Sequence, residues 1–181
     1  MRGAVFLDRD NTIVADRDGY LHEPDQVVLL PGAADGLAAL AAAGWPLVVV
    51  SNQSGIARGM FGPEAFTAVM DRIGALLAPR GVIFAGAFFC PHHPDVTGPC
   101  DCRKPGLALY LRAARLLNLD LARSWAVGDR VEDAEPALHF GGGGILVAPG
   151  DAPAAGRAHR LGLAVEPDLA AAARRILAPE R

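Results

Sequence analysis

Two carboxylates, Asp8 and Asp10, stand two residues apart just past the apolar run Ala4 to Leu7. Acids at the mouth of a buried strand are costly unless a cation neutralises them; a helix cap plus a surface charge is the plainer alternative. A second apolar run, Pro46 to Val50, ends in Ser51-Asn52-Gln53-Ser54-Gly55, a hydroxyl and amides suited to an anion or to an ordinary turn. A third run, Ser124 to Val127, ends in Gly128-Asp129-Arg130-Val131-Glu132-Asp133 and adds Asp129 to the acids. Arg103-Lys104-Pro105 supplies cations just before a helical stretch. Between these lie Cys90-Pro91-His92-His93-Pro94 and Cys100-Asp101-Cys102. Thiolates and an imidazole at C-x-H…C-x-C spacing can close a tetrahedral, structural Zn2+ site. Three free cysteines beside two loop histidines are the alternative, as is a redox pair, although redox pairs favour C-x-x-C.

Those residues need a scaffold that gathers distant stretches. The chain has 181 residues, 51% hydrophobic and 20% charged, with a formal net charge of -3. That length fits one domain over residues 1–181, able to bury a core without covalent staples. The apolar content excludes disorder, and the scattered 21 Gly and 14 Pro exclude a collagen-like or low-complexity chain. A mildly acidic balance with no Lys/Arg cluster argues against nucleic acid as partner. No apolar run approaches the roughly 20 residues of a membrane span. Met1-Arg2-Gly3 leads directly into strand-like residues, which predicts no signal peptide, and three cysteines predict no disulfide framework. The expectation is a cytoplasmic monomer acting on a small molecule.

Runs at Ala4 to Leu7, Pro46 to Val50, Ile83 to Phe89, Ser124 to Val127 and Gly144 to Val147 read as strands buried on both faces. Helical spacing marks Gly32 to Ala43, Pro63 to Ala78, Leu107 to Leu117, Glu132 to Phe140 and Leu169 to Leu177. This alternation predicts an α/β fold, a three-layer, mostly parallel Rossmann-like sheet with helices on both faces. Ligands of such sheets bind at the carboxyl ends of the strands, where Asp8, Ser51 and Asp129 fall. Ala15 to Leu30 and Pro91 to Pro105 fit neither element and have the length of functional loops. Gly141 to Gly144 reads as a flexible turn before the last strand, or as a phosphate-cradling loop.

Four strings in this order resemble the haloacid dehalogenase superfamily of aspartate-nucleophile phosphatases. They are D-x-D-x-T at Asp8, Asp10 and Thr12, a hydroxyl residue after an apolar strand at Ser51, a Lys before a helix at Lys104, and G-D-x-x-x-D at Gly128, Asp129 and Asp133. The resemblance covers nearly the whole chain. It implies Mg2+ held by the side chains of Asp8 and Asp129 and the backbone carbonyl of Asp10. It further implies Asp8 as the nucleophile that becomes an aspartyl-phosphate, and Asp10 as acid and then base. Ser51 and Lys104 would bind the phosphoryl oxygens, and Asp133 would orient Lys104 or reach the metal through water.

A finer resemblance, carried by Asp8-Arg9-Asp10, Ser51 through Gly59, the Cys/His loop and Cys102-Arg103-Lys104-Pro105, is to the D-glycero-D-manno-heptose 1,7-bisphosphate 7-phosphatases and the related histidinol-phosphatases. It implies no large cap domain, and a zinc loop at 90–102 ligated by Cys90, His92, Cys100 and Cys102, with His93 facing solvent or substrate. Substrate contacts fall on Asp16, Arg17, Asp18, Gly19, Ser51, Asn52, Gln53, Ser54, Arg103 and Arg130, the two last suited to a second phosphate. Asn11 stands where glycine is common, Ser51 where threonine is frequent, and the step from Pro105 to Gly106-Leu107 is shorter than in many relatives. Three other readings are weighed: histidinol-phosphate or broad sugar-phosphate hydrolysis, a receiver-like phospho-acceptor, and a zinc-binding interaction module. Asp10 argues against the acceptor, which needs no acid, and the zinc module leaves the strand ends without a role.

Overall fold

The computed structural model describes residues 1–17 and 19–178. Its apolar runs become β1 (Val5–Leu7), β2 (Leu47–Asn52), β3 (Phe84–Cys90), β4 (Trp125–Gly128) and β5 (Gly143–Val147), joined by β6 (Ala164–Glu166). They form one sheet in the order β3-β2-β1-β4-β5-β6, each neighbouring pair parallel. Strand order reverses at β1, so β2 lies on one side of it and β4 on the other, opening a crevice at the carboxyl ends. Helices are α1 (Ala33–Ala42), α2 (Ser54–Ala57), α3 (Pro63–Leu77), α4 (Pro94–Thr97), α5 (Ala108–Leu117), α6 (Val131–Ala134), α7 (Pro136–Phe140), α8 (Pro153–Arg160) and α9 (Leu169–Leu177).

Strand periodicity of two builds the layers. Val5, Leu7, Leu47 and Val49 face the core that α1, α3 and α9 cover. Ala4, Phe6, Val48 and Val50 face the other core, against Leu109, Tyr110 and Ala113 of α5 and Ala137 of α7. On α3 the buried residues Phe66, Val69, Met70, Ile73 and Leu77 recur at helical spacing, and Pro63 opens the helix. Among the described residues no helix is long and apolar enough to cross a membrane.

Several sequence expectations change. The third strand is an edge, so its burial alternates, and Ile83, expected as its first residue, lies outside it and is 82% exposed. The helix expected over Glu132 to Phe140 is two, because Pro136 has no N–H to return to the Glu132 carbonyl. The sequence reading has no counterpart for β6 or α8. The first has three residues, all half-buried, and the second buries only Ala155 and Ala158, so neither presents an apolar run. Of Gly141 to Gly144, only the first two form the turn from α7 into β5, with Gly141 at positive φ (76°) capping the helix. Gly143 and Gly144 belong to β5, and a Cβ on Gly142, Gly143 or Gly144 would meet the Ser124 carbonyl, the Trp125 ring or the Leu163 side chain respectively.

The α1–α9 packing shows the same close approach, since a Cβ on Gly36 would strike the Leu169 carbonyl, whereas one on Gly74 of α3 meets nothing within 4 Å. Alanine favours both helices intrinsically. Gly74→Ala is therefore expected to raise stability by about 0.5–1 kcal/mol, and Gly36→Ala to lower it by about 1–3 kcal/mol. Chemical denaturation midpoints of the two variants distinguish these opposite signs.

Candidate active site

β1 delivers Asp8 to the crevice, and a left-handed Asn11 (φ 58°) turns the chain immediately afterwards. Asn tolerates that region where most side chains do not. The Asn11 carboxamide oxygen accepts from the Asp16 N–H, and the Asp16 carboxylate accepts from the amides of Tyr20 and Leu21. This folds the loop after β1 back over the cleft, with Tyr20 also at positive φ (64°). The resulting cleft, about 350 Å³, draws its wall from the ends of β1, β2 and β4 and from both long loops. A larger groove of about 910 Å³ opens at the amino ends of β4 and β5, between Trp45, Trp125 and Arg174, remote from these groups.

Lys104 occupies the floor. Its side chain is 1% exposed, and its ammonium donates to Asp8 Oδ1 (2.5 Å) and to the Val50 carbonyl (2.7 Å) and pairs with Asp133 Oδ1 (2.7 Å). Its three N–H groups are thus all engaged. The Asn52 side chain grips the Lys104 backbone at two points, accepting from its N–H (3.0 Å) and donating to its carbonyl (3.3 Å). Asp133 is held by a bond from the Arg130 N–H to Oδ2 (2.9 Å). Gly128 allows this, because a Cβ there would collide with the Asp133 side chain.

The carboxylates of Asp8, Asp129 and Asp133 bring one oxygen each within 4.8 Å of one another, and the one ammonium pairs with the first and third of them. Burial, only partly offset by Lys104 and reinforced by Asp133 and Asp10, lifts the Asp8 carboxyl to about 8. Burial and then the Asp133 charge raise Asp129 to about 6, against the pull of Arg130. Burial opposes the charge on Lys104, but Asp133 and Asp8 outweigh it and hold the ammonium well above the usual lysine range. The set is short of positive charge, and its donors are hard oxygens, which suits a small divalent cation.

Asp10 is engaged differently. Arg9, 0% exposed between the two acids, grips the Asp10 carboxylate with Nε (2.9 Å) and Nη2 (3.0 Å). Gln53 donates to Asp10 (2.9 Å) and to the buried Ser51 hydroxyl (2.7 Å), which leaves that hydroxyl's own hydrogen free to donate. Sequence reasoning assigned no role to Arg9. The available signal was a charge next to a buried strand, since a buried arginine is almost always paired.

At the end of β3, Cys90, His92, Cys100 and Cys102 bring one ligand atom each within 4.8 Å of one another. Cys102 Sγ lies 3.0 Å from Cys90 Sγ and 3.2 Å from His92 Nδ1, and all three cysteines are free. Burial raises Cys90 and Cys102. Burial also pushes on Cys100, but hydrogen bonds from the Arg103 backbone and from Cys102, Cys90 and His92 bring it down to about 7. His93 lies in the cleft wall, its Nε2 2.8 Å from Arg58.

Of the expected substrate contacts, Asp16, Gly19, Asn52, Gln53, Ser54, Arg103 and Arg130 line the cleft, whereas Ser51 is not in its lining and is buried, its hydroxyl accepting from Gln53. Arg17 instead borders a separate hollow with Gln26 and Val28, and Asp18 lies outside the described residues. In metal-free protein, Lys104→Met leaves Asp8 and Asp133 buried without a counter-charge. We expect it to cost about 3–5 kcal/mol by denaturant titration, and Lys104→Met combined with Asp133→Leu to cost less than the single substitution.

A family model for haloacid dehalogenase-like hydrolases matches residues 3–141. The chain is 46% identical over 140 residues to a D-glycero-beta-D-manno-heptose-1,7-bisphosphate 7-phosphatase of Yersinia pestis, covering 75% of this chain and 74% of that one. It is 43% identical over 140 residues to the protein of that name from Escherichia coli K12, covering 75% and 73%. A crystal structure of a D,D-heptose 1,7-bisphosphate phosphatase from B. bronchiseptica, complexed with magnesium and phosphate, superposes with a TM-score of 0.83 at 35% identity, covering 97% of this chain and 98% of that one. With the matched strings standing at the ends of β1, β2 and β4 and at Lys104 on the cleft floor, the chain belongs to the haloacid dehalogenase-like hydrolase family.

Proposed function

We propose that the protein is a Mg2+-dependent phosphatase that removes the 7-phosphate of D-glycero-D-manno-heptose 1,7-bisphosphate through an aspartyl-phosphate on Asp8. One observation carries the reading: a buried aspartate at the head of the β1 loop is surrounded by further carboxylates and a single ammonium, with a second aspartate two residues on held at the cleft wall. The similarity to heptose bisphosphate phosphatases across three quarters of the chain supports the substrate class.

Phosphate monoesters resist attack because their oxygens are anionic and the leaving alkoxide is poor. Asp8, with Asp129 and the Asp10 backbone carbonyl, would hold the Mg2+, which when bound offsets that repulsion. Asp8 attacks phosphorus while Asp10 gives a proton to the departing sugar oxygen. Asp10 then takes a proton from the water that releases phosphate from Asp8. Lys104, already against Asp8, is in place to stabilise charge as it moves onto the phosphoryl oxygens, and the Ser51 hydroxyl has a hydrogen to donate to them. Asp133 fixes Lys104. Asp16, Gly19, Asn52, Ser54, Arg103 and Arg130 lie where they could hold the sugar and its second phosphate, and the guanidinium fork suits the latter.

The thiol–imidazole cluster is read as a structural Zn2+ site formed by Cys90, His92, Cys100 and Cys102. The convergence of three thiols and an imidazole supports it. It would pin the loop that ends at Arg103 and Lys104. The same reading makes residues 1–181 one phosphatase domain, supported by the single sheet behind the cleft, and takes the protein as a cytoplasmic monomer.

Asp8→Asn is expected to remove turnover, by a factor of about 10³ or more, with the unfolding midpoint retained. With Mg2+ at neutral pH, kcat/KM for the heptose 1,7-bisphosphate should exceed that for histidinol phosphate; the reverse order overturns the substrate assignment. Cys100→Ser is expected to lose bound zinc by elemental analysis and to lower the melting temperature, and an unchanged metal content would refute the zinc site.

A further inference from the structure

We propose that Arg9 and Gln53 are positioning residues that clasp the Asp10 carboxylate and leave one lone pair, on Oδ1, for proton transfer. The proposal rests on the reading of Asp10 as acid and base. Its carboxylate offers about four acceptor directions, two per oxygen. Oδ1 accepts from Arg9 Nε (2.9 Å), and Oδ2 accepts from both Arg9 Nη2 (3.0 Å) and Gln53 Nε2 (2.9 Å). The remaining direction is on Oδ1, and Asp10 lies in the cleft wall.

The clasp is itself held rigidly. The two N–H groups of Arg9 Nη2 are shared among Asp10 Oδ2, the Leu21 carbonyl (2.7 Å) and, in the longest of the three contacts, Gln53 Oε1 (3.2 Å), which with the Gln53 Nε2 bond to Asp10 sets which way the amide points. The guanidinium carbon lies 5.3 Å from the centroid of the Phe66 ring, and Nη1 is buried with no hydrogen-bond partner among the described residues. A cation over a ring face recovers part of that cost. Through Leu21 the loop after β1 is tied to the Asp10 carboxylate, so closing the loop and aiming the acid are one arrangement.

The chemistry balances at that atom. As the Asp8–phosphorus bond forms and the phosphorus–sugar oxygen bond breaks, the electron pair goes to the leaving oxygen, which takes the Oδ1 proton. The carboxylate left behind stays paired with Arg9. In the second half the attacking water gives a proton back to Oδ1, and the electron pair of the broken acyl-phosphate bond returns to Asp8. A misaimed Oδ1 harms poor leaving groups most, because only they need the proton in the first step.

The test is kcat/KM, which reports steps through phosphoryl transfer, for the heptose bisphosphate and for 4-nitrophenyl phosphate. Gln53→Met keeps the shape and removes the donors. It is expected to lower the alkyl-to-aryl ratio by about 10-fold or more, with Asp10→Asn lowering it further. Arg9→Lys keeps the charge, loses the fork and should give the same signature, which covers the case that Gln53→Met does not fold. Equal losses on both substrates in the clasp variants, with the ratio still falling in Asp10→Asn, overturn the clasp and leave the acid intact. A ratio unmoved in Asp10→Asn overturns the reading of Asp10, and the proposal with it.

Discussion

The buried ammonium of Lys104 is the charge on which the carboxyl edge of the sheet depends. It is reached from three parts of the chain: Asp8 after β1, the Val50 carbonyl in β2, and Asp133 in the turn after β4. An ammonium out of water is tolerable only when every N–H has an acceptor and charge stands opposite it. Here both conditions are met by groups more than 20 residues away in sequence. Asn52 clamps the Lys104 backbone from β2, so side-chain charge and main-chain position are set together.

Around this cation the negative charge is in excess. Asp8 and Asp129 are pushed up because burial strips their solvent while neighbouring carboxylates repel them, and one ammonium does not cancel that. Groups in this state gain from a hard cation, and the fold delivers them at the switch in strand order where β1 lies between β2 and β4. The second cluster answers a different need. Its sulfurs and imidazole sit at the end of β3, and Cys102 is separated from Lys104 only by Arg103, so ordering the loop orders the lysine's approach.

Much of this was legible beforehand because the local signals agree with the global ones. The apolar runs ending in Asp8, Ser51 and Asp129 marked strand ends, and parallel-sheet topology places such ends together. C-x-H…C-x-C spacing marked the sulfur cluster for the same reason: ligands near in sequence need little fold to meet. What stayed hidden has no periodic apolar signal. β6 and α8 are short and partly exposed, and the edge character of β3 depends on having a neighbour on one side only. The glycines before Val147 looked like flexibility and are instead close packing against Trp125 and Leu163, which only a partner surface reveals.

By itself the sequence determined the fold class, the strand ends that carry acids and the spacing of the cysteines, because each is set by residue type and period along the chain. Tertiary structure decided the pairings. Asp133 grips Lys104, Arg9 turns inward onto Asp10, Arg17 leaves the cleft and Gln53 bridges Asp10 to Ser51. A motif names the charged groups, but which of them neutralise one another depends on distance and burial, and those exist only once the sheet has closed around them.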